Sequence, residues 1–406
     1  MITGHEIRSR NRSATRASRL VAAGLSFLWS SIAFAEQWYF LPSFNLKTFY
    51  DDNVRLLINN PQGSFGTEAV ARLAAGRATD ISDVSLRAEI NPKWYSEISS
   101  FDRTDARFNL ASFRQLERNR IGFDARLEYE STDTSEEQTT GIVQVNKMRT
   151  RGFLNPKWRY TITERFYLNL SASYTDVSYE DVGLVPLYNY TLSRGDGGVL
   201  YRFNERLNLF TNISYEHYEA KSIDNSSDTY GVAVGADYEL TQTTKVRASG
   251  GFWSSRADFP VRGGIESSDT TGMSGQIRLT KEFDVGKLIL QADQGLIPSG
   301  SGSLLNNTAL MFRLDYPLTP RWSLNLAARV YRNEDPGGGT NSFGRDFVRA
   351  SPTLVYQLTR SLDVDLGYQY RYQDRENVAG SATSDTVFLT LRYNGRRLPA
   401  EDFVPF

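Results

Sequence analysis

The feature that most constrains this chain is a period-two alternation of apolar and polar residues that recurs along most of its length. From Leu362 to Tyr372, the residues Leu, Val, Leu, Tyr, Tyr and Tyr alternate with Asp, Asp, Gly, Gln and Arg. Successive side chains of a β-strand point to opposite faces, so this pattern predicts a strand with one apolar face and one charged face. Comparable stripes run through residues 84–94, 121–129, 166–174, 322–330 and 387–393.

The stripes are longer than the strands of soluble proteins usually are. A tilted strand of about 9 to 11 residues crosses a lipid bilayer, whereas soluble strands typically have about five or six. We count about 18 stripes, or about 16 if an end pair is misassigned. Short turns such as Thr163-Glu164-Arg165 and Thr359-Arg360-Ser361 alternate with longer polar segments, at 131–147, 219–227, 258–269 and 333–344. This arrangement predicts an all-β fold, a transmembrane antiparallel up-and-down β-barrel of about 18 strands.

Two other all-β folds remain open at this point. A repeat of about 40 residues is also the period of a β-propeller blade, but a blade has four short strands and each unit here has two long ones. A soluble sandwich would bury one face of every strand in a dry core, and the polar faces here carry too many charges for that. The apolar faces also often end in Tyr or Trp, as they do at the two membrane interfaces of a barrel.

Residues 1–35 have the layout of a secretory signal peptide. Five Arg residues between Arg8 and Arg19 precede an apolar run from Leu20 to Ile32, and Ala33-Phe34-Ala35 has the small-x-small pattern of a cleavage site. We therefore predict Sec-type export with cleavage after Ala35, a retained membrane anchor being the alternative. The barrel is then predicted over residues 36–394, followed by a C-terminal tail, 395–406, that ends at Phe406.

Composition excludes several classes of protein. The chain has no Cys, which excludes a disulfide scaffold, a Cys-ligated metal site and a lipoprotein acyl anchor. Without the signal peptide, the 46 basic and 47 acidic residues become 41 and 46, a net charge of −5. That balance does not favour nucleic acid as a partner.

The polar faces of the strands predict a basic lumen. If every residue opposite an apolar stripe points inward, basic residues in the interior outnumber acidic ones by roughly ten, and the acidic surplus falls on loops and turns. A cationic lumen attracts anions, and Arg can bind a carboxylate or phosphate through two parallel hydrogen bonds. For any single residue, pairing with an acid across the wall is an alternative role. The residues that we predict to line the lumen are Arg87, Arg126, Arg159, Arg247, Arg329 and Arg371.

Two candidate chemical sites receive structural interpretations. His217 is the single His after the signal peptide, and it shares its face with Tyr215, so we predict that it points outward as an interfacial aromatic residue. An enzyme with a His base would need it to face a nucleophile or a carboxylate. The Asp51-Asp52-Asn53 segment has the oxygen ligands that a divalent cation prefers, but we favour its interpretation as a solvated strand end. We predict no catalytic residue, metal or cofactor.

The first stripe carries a resemblance to a known family. The segment from Pro42 to Val54 reads PSFNLKTFYDDNV and contains Tyr50-Asp51-Asp52-Asn53. It resembles the start of outer-membrane β-barrel porins associated with exopolysaccharide systems, the putative beta-barrel porin 2 family. The Tyr-x-Leu-Thr turns and the YTDVSY stretch of 174–179 look similar too. The resemblance implies a barrel of about 18 strands that acts in polysaccharide export or a related envelope pathway, and it supplies no catalytic residues.

Together these observations predict a porin-like channel in the Gram-negative outer membrane. The channel would pass an anionic polysaccharide, or support its export, or pass a similar anionic solute through the basic lumen. The partners are then outer-membrane lipid, the anionic polysaccharide and proteins of the export machinery. A general small-solute porin and a structural or docking barrel with a plugged lumen remain as alternatives, and an outer-membrane enzyme is disfavoured. The sequence does not indicate an oligomeric state.

Overall fold

The computed structural model describes residues 37–137, 139–141, 144–180, 183–261, 264–336, 344–376 and 378–395. The predicted signal peptide and residues 396–406 of the predicted tail lie outside these residues. Eighteen antiparallel strands follow one another along the chain, each paired with its neighbours in sequence, and β1 pairs with β18 to close the ring. The prediction of an up-and-down β-barrel with 18 strands is confirmed.

The strands are 13 to 20 residues long, so even the shortest exceeds what a tilted bilayer crossing requires. Their bounds are β1 Gln37–Asp51, β2 Ser64–Thr79, β3 Ser82–Tyr95, β4 Arg103–Gln115, β5 Asn119–Ser131, β6 Met148–Thr161, β7 Phe166–Tyr179, β8 Tyr190–Arg202, β9 Leu207–Ala220, β10 Asn225–Thr241, β11 Thr244–Val261, β12 Gly264–Phe283, β13 Gly286–Pro298, β14 Leu304–Pro317, β15 Trp322–Glu334, β16 Gly344–Gln357, β17 Leu362–Arg375 and β18 Ser381–Asn394.

The alternation in the sequence places apolar side chains on the outer face of the wall and polar side chains on its inner face. On β17, Leu366 and Tyr368 point outward and are 55% and 39% exposed, whereas Asp365, Arg371 and Gln373 point inward and are buried. A barrel surrounded by lipid requires an apolar exterior, because hydrocarbon does not solvate charged side chains. Outward aromatic residues pack in tilted pairs near both ends of the strands, as in Trp322–Tyr356 and Tyr50–Phe65.

The connections differ at the two ends of the barrel. Short turns follow every even-numbered strand before β18, and the odd-numbered strands lead into the other end, which includes all of the longer loops. This end also carries a short helix, α1 (Thr132–Ser135), and two 3-10 turns, Ser99–Phe101 and Lys221–Ile223. The predicted long connections at 219–227 and 258–269 are wrong, because β9, β10, β11 and β12 extend into them as hairpins. The loop at 132–147 is confirmed, and residues 337–343 of the predicted segment 333–344 lie outside the described ones.

Glycines hold several inward aromatic rings flat against the wall. Phe49, Phe388 and Trp253 each lie directly opposite a glycine of the adjacent strand, Gly66, Gly367 and Gly272 respectively. A Cβ atom added at Gly272 would lie 2.2 Å from the Trp253 ring. The absence of a side chain therefore allows each ring to lie along the wall and leaves the lumen wider.

We predict that Gly272→Ala destabilises the barrel by about 1–3 kcal/mol, because the Trp253 ring must leave its place on the wall. The measurement is the urea concentration at which the heat-modifiable, folded band disappears in gel electrophoresis. Gly195→Ala is the matched control, since nothing lies within 4 Å of an added Cβ there. Equal midpoints for the two variants would contradict this account.

Candidate functional site: an arginine row and the loops inside the lumen

The Tyr50-Asp51-Asp52-Asn53 motif ties the β1–β2 loop to the inner wall. The Asp51 carboxylate accepts hydrogen bonds from Arg371 Nη2 at 2.8 Å, Ser384 Oγ at 2.8 Å and Thr386 Oγ1 at 3.0 Å. It also accepts the backbone N–H of Asn53 at 3.0 Å. Asp51 is buried, so the interpretation of this residue as a solvated strand end is wrong. Its oxygens serve protein donors, and the described part of the chain contains no cluster of three or more His, Cys, Asp or Glu residues arranged to hold a metal ion.

Asn53 closes the turn that sends this loop inward. Its side-chain Nδ2 donates to the carbonyls of Leu57 and Thr383, both at 2.8 Å, and its Oδ1 accepts the Leu57 N–H at 2.9 Å. The loop then places Leu56 in an apolar cluster on the inner side of the wall. That cluster is formed by Ala309, Tyr331, Phe347 and Ala382, which lie on β14, β15, β16 and β18. The β1–β2 loop therefore folds into the lumen.

The β5–β6 loop crosses the lumen. Glu136, which follows α1, accepts hydrogen bonds from the Thr139, Thr140 and Tyr179 hydroxyls at 2.6, 2.8 and 2.6 Å. On the other side, Arg345 Nη2 donates to the Glu137 carbonyl at 2.7 Å. Asn333 Nδ2 donates to the Thr139 carbonyl at 2.9 Å. Tyr331 and Arg375 also donate to backbone carbonyls of this loop. Strand β15 lies opposite β6 in the ring, so these contacts span the barrel.

The two inward loops also contact one another and the β3–β4 loop. Arg55 donates through Nη2 to the Gln144 carbonyl at 2.7 Å. Val54 packs with Phe101, Phe49 and Tyr95 in a second apolar cluster. At the base of the crossing loop, Arg103 Nη2 lies 2.6 Å from Asp133 Oδ2. Burial acts to raise the pKa of Asp133, but Arg103 and the neighbouring cations outweigh it, so this pKa lies below its ordinary value.

A further pair of loops closes over the β7–β9 side. Tyr218 donates to the Ser299 carbonyl at 2.9 Å, and the Tyr188 N–H donates to the Gly300 carbonyl at 2.8 Å. Val177, Tyr190 and Leu304 belong to the apolar cluster beneath them. The β13–β14 loop is therefore held against the β7–β8 loop, above the lumen.

Three arginines form a row on adjacent strands. Arg329 of β15 is in direct register with Arg349 of β16, and Arg349 is in direct register with Arg371 of β17. The carboxylate of Glu137, carried by the crossing loop, lies on this row. Its Oε2 accepts a hydrogen bond from Arg349 Nη1 at 3.1 Å, and its Oε1 lies 3.9 Å from Arg371 Nη1. We refer to Arg329, Arg349 and Arg371 as the arginine row.

The structure brings together only two of the six arginines predicted to line the lumen, Arg329 and Arg371. The other four are distributed over β3, β5, β6 and β11. Arg126 lies over the Phe153 ring at 5.0 Å, and Arg159 Nε donates to Asn169 Oδ1 at 2.7 Å. Arg247 pairs with Asp237 at 3.5 Å and lies over the Phe210 ring, whereas the exposed Arg87 faces Ala74 and Asn109 across its two strand pairings.

The predicted list of six omits Arg349 and Glu137. A signal for Arg349 is present in the sequence, because Arg349 and Arg371 lie at equal distances from Arg360, which is in the turn between β16 and β17. A tight turn sets the register of its hairpin, so equal spacing predicts that the two side chains are neighbours. No comparable signal exists for Glu137, which reaches the row through a loop.

The sequence analysis places the acidic surplus on loops and turns, and the structure folds some of these segments inward. Asp133 and Glu137 of the β5–β6 loop contact basic residues inside the barrel, as does Asp51 at the end of β1. Many wall cations also pair with an acid on the adjacent strand, which is the alternative role considered above. Such pairs are Arg72–Glu89, Lys157–Asp124, Lys245–Glu239 and Arg392–Asp365.

One part of the wall carries small inward residues. On β10 and β11 these include Ala233, Gly235 and Ser249, and on β12 and β13 they include Ser274 and Gly295. All of them except Gly235 border a cavity of about 350 Å³ that is also lined by Gln276, Asp293 and Asn307. Because these side chains are short, this wall leaves space beside the loops that fill other parts of the lumen.

His217 lies on the outer face, as its parity with Tyr215 predicts. Its Nδ1 is 2.8 Å from Asp228 Oδ1, and the Tyr215 hydroxyl donates to the same oxygen at 2.7 Å. The imidazole is therefore part of an exterior polar cluster near the loop end. Among the described residues, no helix is both long enough and apolar enough to cross a membrane.

No family model matches the chain, and no curated protein matches it. Membership of the exopolysaccharide-associated porin family therefore stays a prediction. Similar solved structures include Pseudomonas aeruginosa OpdK with vanillate, at 13% identity over 87% of this chain and 98% of that chain, with a TM-score of 0.45. Pseudomonas aeruginosa OccK2 (OpdF) in complex with glucuronate is similar at 11% identity over 90% and 100%, with a TM-score of 0.45. Acinetobacter baumannii OccAB4 is similar at 9% identity over 87% and 98%, with a TM-score of 0.44.

We predict that Asp51→Asn releases the β1–β2 loop, because Arg371 then keeps a buried charge without its carboxylate partner. Removing one partner of a buried ion pair costs about 3–5 kcal/mol. The measurement is trypsin cleavage after Arg55 in the folded, detergent-solubilised barrel, followed by mass spectrometry. Asp80→Asn, in the exposed turn between β2 and β3, is the control. Equal resistance of Arg55 in both variants would show that the Asp51–Arg371 contact does not hold the loop.

Proposed function

We propose that this protein is an outer-membrane channel through which anionic solutes pass by diffusion, and that the chain leaves the cytoplasm by Sec-type export. The observation that carries the proposal is the arginine row, where 44% of the Arg349 side chain is exposed inside the barrel. A cation that is held in place and still accessible can exchange partners with a passing anion. The neighbouring wall of small residues, with its cavity, supplies room for the solute.

Three features of the barrel support a place in the outer membrane. The ring of strands is closed, large apolar residues cover much of its outer face, and aromatic residues pack in tilted pairs near both ends. No enzymatic role is proposed, because His217 and the Asp228 carboxylate that it contacts both lie on the outer face of the barrel, beside Tyr215. Passage needs no cofactor, because an electrostatic gradient along the wall is sufficient to draw anions inward.

A docking barrel with a plugged lumen is the second candidate. It is favoured by the contacts of the β5–β6 loop, which reach from Tyr179 on β7 to Arg345 on β16. The same loops are compatible with a narrow channel along β10–β13, where the inward residues are small. Conductance separates the two candidates, since a plugged barrel gives no current in a planar bilayer.

We predict an anion-selective reversal potential in a KCl gradient, reduced in Arg126→Gln and Arg329→Gln. Both arginines lie on the inner wall, so each substitution removes one positive charge from the field that attracts Cl⁻. Arg332→Gln is the matched control, because Arg332 lies on the outer face of the same strand as Arg329 and pairs with Glu376 at 2.6 Å. Cation selectivity of the wild type, or equal shifts in all three variants, would contradict a basic lumen.

An anionic polysaccharide is our proposed solute on the strength of the Pro42 to Val54 resemblance. We predict that deletion of the gene abolishes secretion of an acidic surface polysaccharide while uptake of small anions falls little. The measurement is uronic acid released into the medium, with a strain complemented by the intact gene as the control. Unchanged secretion combined with slower uptake of small organic acids would instead identify a general small-solute porin.

A further inference from the structure

The carboxylate of Glu137 occupies the position on the arginine row that an anionic solute would take. It is presented by the crossing loop from the far side of the barrel and receives one hydrogen bond from Arg349, at 3.1 Å. Its second oxygen lies 3.9 Å from Arg371, beyond hydrogen-bond distance. Glu137 therefore makes one close contact and one long one with the row.

The two arginines depend on Glu137 to different extents. Arg371 is already engaged by Asp51 at 2.8 Å and Ser384 at 3.0 Å. Arg349 donates through Nη2 to Gln369 Oε1 at 2.8 Å, so Glu137 is the carboxylate that it contacts. The Arg349 side chain is 44% exposed, against 9% for Glu137. An incoming carboxylate can therefore approach Arg349 directly.

The crossing loop does not depend on this carboxylate for its position. Arg345 and Asn333 hold the backbone carbonyls of Glu137 and Thr139, and Glu136 holds the other end through Tyr179. The Glu137 side chain can thus change partners while the backbone contacts persist. A carboxylate tethered in this way acts as a competitor at an effective concentration on the order of millimolar.

We propose that Glu137 is an internal occupant of a carboxylate-binding site on the arginine row, and that a carboxylate-bearing solute displaces it in order to pass. The inference rests on the proposed function. It adds that the Glu137 side chain occupies the solute-binding site on the arginine row when no solute is bound. The site selects carboxylates because the Arg349 guanidinium matches a carboxylate with two parallel donors. The chemical class of the ligand is a monocarboxylate, or an acidic sugar unit of a chain.

The test uses single-channel recording of the full barrel in planar bilayers, with sodium gluconate as the probe and sorbitol as its uncharged counterpart. In the wild type we expect brief current blockades by gluconate and none by sorbitol. Glu137→Gln removes the internal competitor, so the gluconate concentration for half-blockade should fall about tenfold or more. Arg349→Gln should abolish blockade, alone or combined with Glu137→Gln.

Control variants distinguish an error in the inference about Glu137 from an error in the proposed channel function. Glu164→Gln, in the exposed turn between β6 and β7, makes the same chemical change outside the lumen and should match the wild type. Glu137→Asp withdraws the carboxylate by one methylene and should give an intermediate concentration, which provides a second test if Glu137→Gln does not fold. The inference would be overturned if the folded Glu137 variants conduct chloride but keep the wild-type gluconate concentration for half-blockade. It would also be overturned if gluconate still blocks a conducting Arg349→Gln channel. Absence of any wild-type current would overturn the proposed function instead.

Discussion

Every backbone N–H and C=O of the membrane-crossing strands must find a partner within the protein, and the rest of the structure depends on this constraint. Hydrocarbon offers no hydrogen bonds, so an open sheet edge in lipid would leave a row of unsatisfied polar groups. The pairing of β1 with β18, from Ser43–Asn394 to Asp51–Thr386, removes the last edge. Once the ring closes, every side chain has a defined inward or outward direction, which is why a simple alternation in sequence can specify so much.

Closure also creates a charged interior that must be neutralised locally. The barrel meets this need in two ways. On the wall, cross-strand neighbours such as Arg72 and Glu89 pair directly. At the loop end, the β5–β6 loop brings Asp133 and Glu137 to basic residues, and Asp51 at the end of β1 pairs with Arg371. Arg345, which is almost fully buried, binds loop carbonyls instead. The loops are therefore held by the same charges that could attract a solute, so binding of a solute and position of a loop are physically linked.

The Asp51-Asp52-Asn53 segment illustrates how a short motif can organise a large interior. Asp51 compensates the buried charge of Arg371, while Asn53 satisfies backbone groups of both its own loop and β18. The chain turns inward after Asn53, and Leu56 contacts the apolar cluster that includes Tyr331 and Phe347. A polar contact with β17 and β18 and an apolar contact with inward residues of β14, β15, β16 and β18 together determine where this loop lies.

The sequence by itself determined the fold class, a strand count of about 16 to 18 and the face on which most strand residues lie. These follow from local rules, because side-chain direction alternates and short turns set the register of their hairpins. The inward placement of Arg371 and the outward placement of His217 were predictable for that reason. Only the tertiary structure decided that Asp51 is buried, that the β5–β6 loop crosses the lumen and that Glu137 meets Arg349 and Arg371. Those contacts join residues far apart in sequence, and they exist only after the ring has closed and brought β16 and β17 within reach of a loop from the opposite wall.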